Sequence, residues 1–167
     1  TASSMGDVLW RPSAERAGAT RLAGFMADRG FSTYDELWEW SISEPAAFWL
    51  ALWEVGTVIA PDPPTTVLAS EAMPGAEWFV GARLNYAENL LRRRDDAAAV
   101  ITADESGTLE EVSWGELVSR VARAQAGLLE LGIGPGDRVA GLVSNGIEAL
   151  VAMLATTATG AIWSSCS

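Results

Sequence analysis

A chain of 167 residues with 49% apolar content has enough apolar surface for a folded core and is not of disordered composition. Its 11 basic residues, all arginine, stand against 22 acidic ones, and the resulting charge of −11 repels phosphate backbones, so nucleic acid is not an expected partner. With no histidine and one cysteine there is no Ser-His-Asp or Cys-His relay, no zinc set built from His and Cys, and no intrachain disulfide framework. Cys166 alone is a poor ligand set, and its thiol is read as inert; no metal site and no catalytic residue is expected in this chain. No run reaches the roughly 18 apolar residues that span a bilayer, and "TASSMGDVLWRPSAERAG" has no signal-peptide core. The expectation is a cytoplasmic protein with no membrane partner.

The N-terminal third reads as helical and rich in aromatics. In "PSAERAGATRLAGFMADRG", Leu22, Phe25 and Met26 recur at helical spacing and Gly30 offers a stop. Thr33 with Glu36 forms a capping-box pattern ahead of Leu37 and Trp40. The next helix can start at Ser43 with Pro45 in its first turn, and Phe48, Trp49, Leu52 and Trp53 fall on one face. The tryptophans Trp38, Trp40, Trp49 and Trp53 fit either a stacking surface for a ligand or anchors that pack short helices. "APDPPTTVLASEAMPGAEWFVG" is an irregular connection with short extended pieces. In "LNYAENLLRRR", Asn85 can cap a helix whose Tyr86, Leu90 and Leu91 face inward, and Arg92, Arg93 and Arg94 form a solvated helix end.

From about Ala97 the rhythm changes. "AAAVITAD" and "GTLEEVSW" read as a hairpin turning near Gly107. Ser113, three residues before Glu116, opens a helix containing Leu117, Val121, Ala124 and Leu128 that ends near Gly132. "GIGPGD" is a turn: its glycines follow a helix and precede a strand, the wrong order for a dinucleotide loop, so Gly134 and Gly136 are turn residues. "RVAGLVS" is short and apolar, as a buried parallel strand is. Asn145 either caps the next helix or, with Gly146, lies where a helix N-terminus meets an anion; Ile147, Leu150, Val151 and Leu154 form that helix's inner stripe. Gly160 closes it and "AIWSS" starts another strand. The alternation specifies an α/β fold with right-handed crossovers. The sheet is expected to be incomplete in this chain, because its last strand has no following element to cover it.

Three stretches together resemble the acyl-adenylate-forming ligases, and among them the acetoacetyl-CoA synthetase branch. These are "LWRPSAER" with "YDELWEWSISEPAAFWLALWE", then "GARLNYAENLL", then "GIGPGDRVAGLVSNGIEALVAMLATTATGAIWSSCS". The resemblance implies a helical N-terminal extension over residues 1–92, packing on a large AMP-binding α/β domain whose first part is residues 93–167. It implies ATP-dependent ligation of acetoacetate to coenzyme A through an acyl-adenylate, with Mg²⁺ offsetting the triphosphate charge. The phosphate loop, the nucleotide contacts and a catalytic lysine would lie beyond Ser167, in the remainder of the same polypeptide, and this chain has no lysine. By the same resemblance Trp163, Ser164 and Ser165 lead toward the CoA- and acyl-facing region and are the candidate cofactor-binding residues. Acetyl- or propionyl-CoA synthetase, and a non-enzymatic module binding a partner through the tryptophan-rich third, stay open as alternatives.

Overall fold

The computed structural model describes residues 8–103, 105–107 and 109–166. The chain divides into two compact units, 1–55 and 56–167.

The first unit is helical. Helices α1 (Ala14–Gly18) and α2 (Arg21–Arg29) are separate because Thr20 leaves helical geometry and caps α2, its hydroxyl accepting from the Ala23 N–H at 3.2 Å. Gly30, in the left-handed region at φ 77°, ends α2. Helix α3 (Tyr34–Ser43) begins with the expected capping box. Thr33 accepts from the Glu36 N–H at 3.2 Å, and Glu36 Oε2 accepts from the N–H groups of Ser32 and Thr33 at 2.7 and 3.0 Å. Those donations, the one from Ser32 foremost, hold the Glu36 carboxyl below its ordinary pKa. Helix α3 runs through Ser43, so the next helix, α4 (Pro45–Val55), starts two residues later than the sequence allowed, with Pro45 at its first position. Phe31, Trp40, Phe48 and Trp49 form a chain of ring contacts at 5.2–5.8 Å between centroids. The deepest residue of α4 is Ala51, whereas Trp49 keeps 44% of its surface exposed. An Arg29–Glu54 ion pair at 2.9 Å joins α2 to α4.

The second unit opens with an antiparallel pair, β1 (Thr66–Ser70) and β2 (Glu77–Val80), followed by the one-turn helix α5 (Tyr86–Leu90). The hairpin β3 (Ala98–Ala103) and β4 (Leu109–Ser113) leads into α6 (Trp114–Glu130). Strand β5 (Arg138–Leu142), helix α7 (Ile147–Ala158) and strand β6 (Ile162–Cys166) follow, with β5 and β6 parallel. This is the expected α/β order, but the described strands form three separate two-stranded sheets. The core joins Ala87 of α5, Val112 of β4, Leu117 and Val121 of α6, and Ile147, Leu154 and Ala155 of α7. Segment 56–92 therefore belongs with this unit: Ala87 is fully buried in the core, and Asn85 Nδ2 donates to the Thr157 carbonyl at 2.8 Å. The compact division thus differs from the family-based boundary at 92/93.

Several sequence expectations need correction here. Tyr86 and Leu90 are exposed, and Ala87 takes the inward position. Ser113 caps α6, but Glu116 turns forward to Arg120 at 2.7 Å rather than back, so the box is not closed. Strand β5 is half-buried rather than buried on both faces, with Leu142 79% exposed. The three arginines after α5 are exposed, as a solvated helix end is, but two of them also have partners. Arg92 grips backbone carbonyls, and Arg93 lies 5.5 Å from the centroid of the Trp114 ring while pairing bidentately with Asp95. That pairing raises the Arg93 pKa and lowers that of Asp95.

Candidate functional site at the carboxyl edge of the parallel strands

The parallel strands are placed by the turn between α6 and β5. Asp137 Oδ2 accepts from the Gly134 N–H at 2.9 Å, and Gly136, at φ 87°, donates its N–H to the Gly160 carbonyl at 3.2 Å. The Ile162 N–H donates to the Asp137 carbonyl at 2.7 Å, so the same turn sets the register Arg138↔Ile162 through Leu142↔Cys166. Gly134 and Gly136 are turn residues, as their order in the sequence implied.

Alternation along β6 separates the three candidate residues. Trp163 and Ser165 share a face with their partners Val139 and Gly141; Ser164 lies on the opposite face with Ala140, Leu142 and Cys166. Trp163 is half-buried and its indole lies on Gly141: a methyl group there would stand 2.5 Å from Trp163 Cη2. The sequence reading missed Gly141, although a lone glycine inside an apolar strand signals such a close approach. Ser164 and Ser165 are exposed and have no hydroxyl hydrogen bond among the described residues. They are neutral donors and acceptors. Ser167 lies outside the described residues.

At the end of β5, residues 144–148 line a cavity of about 470 Å³ with Thr102, Ala103, Glu105 and Glu110. Asn145 does not cap α7; the cap position is Gly146, which makes no side-chain cap. The Glu148 carboxylate folds back there, its Oε2 2.9 Å from where a Cβ on Gly146 would stand. A carboxylate in the first turn of α7 complements the helix dipole, and with Glu105 and Glu110 alongside, the cavity disfavours an anion. Cys166 is exposed and unpaired. No three of His, Cys, Asp and Glu converge to hold a metal among the described residues.

This order of elements, with a helix joining two parallel strands, defines part of an α/β domain. The family models define it further. "Acetyl-coenzyme A synthetase N-terminus" matches residues 34–90 and "AMP-binding enzyme" matches residues 87–167. Over residues 87–167 the chain belongs to the AMP-binding enzyme family. Among its relatives, an acetoacetyl-coenzyme A synthetase from Rhizobium meliloti (strain 1021) is 41% identical over 165 residues, covering 95% of this chain and 25% of the relative. A malonamoyl-CoA synthetase from Penicillium aethiopicum is likewise 41% identical, covering 96% of this chain and 24% of the relative. The solved acetoacetyl-CoA synthetase from Streptomyces lividans superposes with a TM-score of 0.88 at 40% identity, over 96% of this chain and 26% of that one. The chain thus spans about a quarter of the length of these relatives.

Proposed function

We propose that the protein to which this chain belongs is an acid–thiol ligase that joins acetoacetate to coenzyme A. The observation that carries the reading is the likeness to acetoacetyl-CoA synthetases along nearly the whole chain, in sequence and in backbone. In the first step a carboxylate oxygen of acetoacetate attacks the α-phosphorus of ATP, and pyrophosphate leaves. In the second the CoA sulfur attacks the acyl carbon of the adenylate, AMP leaves, and the thiol proton goes to solvent. Mg²⁺ would offset the triphosphate charge. The residues described here do not fit that ion or the triphosphate: no acidic cluster converges for a metal, and the cavity beside α7 is acidic. Both groups are assigned to the remaining three quarters of the relatives' length. Within the same reading, residues 93–167 begin the AMP-binding domain, Trp163, Ser164 and Ser165 approach its cofactor region, and the enzyme is cytoplasmic.

The malonamoyl relative, equally similar, narrows the acid by chemistry. Acetoacetate and malonamate each carry a carbonyl one carbon removed from the carboxylate, and differ in a methyl against an amino group. The substrate class is a short acid with that β-carbonyl. A site that hydrogen-bonds the amino group would discriminate against acetoacetate by roughly 10⁴-fold or more, whereas an apolar pocket favours the methyl. The test uses the full polypeptide with ATP, CoA and, in turn, acetoacetate, malonamate, acetate and propionate, following AMP and thioester release. The highest kcat/KM is expected for acetoacetate. A tenfold preference for acetate or propionate would overturn the acid assignment; no acid-dependent AMP release with any of the four would overturn the ligase.

A further inference from the structure

We propose that Arg92 and Asn89 act as one latch that holds residues 56–59, the segment leaving α4, in a strained conformation and ties it to α7. Thr57 is β-branched yet has φ 45°, in the left-handed region that only glycine adopts without strain. Arg92 Nη1 donates to the carbonyls of Gly56 and Thr57, both at 2.9 Å, and to Thr57 Oγ1 at 2.8 Å, while its Nε donates to the Asn89 carbonyl at 2.8 Å. Asn89 engages Ile59 as a paired strand would: its Oδ1 accepts from the Ile59 N–H at 2.8 Å and its Nδ2 donates to the Ile59 carbonyl at 2.9 Å. Two side chains of one short segment therefore satisfy backbone groups of three of the four residues 56–59.

Helix α5 has five residues, too few to persist on its own helical propensity. It is held from both sides. The latch binds it to 56–59, while the buried Ala87 and the Asn85–Thr157 hydrogen bond fix it to α7, which leads into β6. Strain at Thr57 and order in α5 are thereby opposed, so the contacts release together. The planar guanidinium meets several oxygens at once, which a single ammonium cannot reproduce.

The test is hydrogen exchange on the full polypeptide, read at the Ile59 amide with the Leu154 amide in the α7 core as reference. Arg92 has no hydrogen bond to Ile59, whose backbone partner is Asn89, yet Arg92→Ala should accelerate Ile59 exchange at least tenfold and leave Leu154 unchanged. Adding Thr57→Gly should restore much of the protection, because glycine takes φ 45° without strain. Arg92→Lys should accelerate exchange less than Arg92→Ala, and it carries the test if the alanine variant fails to fold. Unchanged Ile59 exchange in a folded variant would show independent contacts and overturn the latch. Equal acceleration at Ile59 and Leu154 would show general destabilisation and overturn it as well.

Discussion

Replacing Gly141 by alanine adds one methyl group to β5 directly beneath the indole of Trp163. That carbon would stand 2.5 Å from Cη2 and 3.0 Å from Cζ2 of the ring. Carbon atoms pack at about 3.5–4.0 Å, so the indole must retreat by roughly 1 Å or swing off the strand. Overpacking of this kind costs about 1–3 kcal/mol, a roughly 5- to 150-fold shift in a local opening equilibrium. The assay is native-state hydrogen exchange of the β5–β6 ladder in the full polypeptide, with Leu117 in the α6 core as reference. Trp163→Ala removes the obstacle. In that background Gly141→Ala should be neutral or protective, since alanine in a strand interior is favoured over glycine by about 0.5–1 kcal/mol. An equal cost in both backgrounds would refute the contact, and with it the reading of Trp163 as a packing residue of this sheet.

Leu154→Ala empties a fully buried position in α7 and should cost about 2–5 kcal/mol, read as a lower urea midpoint with an unchanged slope. The Glu36 carboxyl has a folded pKa below its ordinary value of 4.5, so its contribution is present above that value and is lost as pH falls through the lower folded one. Glu36→Gln should therefore lower stability at pH 7 and flatten the acid limb of a stability–pH profile; an unchanged limb would show that the capping box is not its source. Cys166→Ser should leave ligase turnover within about tenfold, because the proposed chemistry forms no bond to cysteine and Cys166 is exposed on β6. A 100-fold loss with unchanged folding, roughly 2.7 kcal/mol, would contradict this.

The sequence carried most elements of the fold because their determinants are local. Thr33 and Glu36 close a capping box over four residues, Gly30 and Gly160 stop helices at positive φ, and Ile147 and Leu154 mark the inner stripe of α7. Errors arose where one contact competes with another or lies far along the chain. Glu116 pairs with Arg120, four residues on, in place of its own cap, and Arg92 finds its acceptors 35 and 36 residues earlier. Ala51 and Ala87 take the most buried places in their helices because close helix approach favours a small side chain, a preference that hydrophobic periodicity does not register. The candidate site was legible as a location, the carboxyl edge of β5 and β6, but not as an arrangement. Spacing alone did not show that Trp163 rests on Gly141 or that Glu148 folds back over Gly146.

Hydrogen-bond satisfaction separates the candidate residues further than their shared place in the sequence does. Groups whose partners lie within the chain hold the fold: Asp137 sets the turn before β5, Arg93 is spent on Asp95 and Trp114, and the Trp163 indole covers Gly141. A ligand gains most from polar groups that have no such partner, since it displaces only water from them. On β6 these are Ser164 and Ser165, and strand alternation points them to opposite faces. One bound molecule on a single face of this sheet reaches one of the two hydroxyls. Ser165 shares its face with Trp163, whose half-buried ring supplies an apolar wall; Ser164 shares its face with the exposed Leu142 and Cys166. Under the proposed function Ser165, with Trp163 as its wall, is the stronger assignment toward the cofactor region.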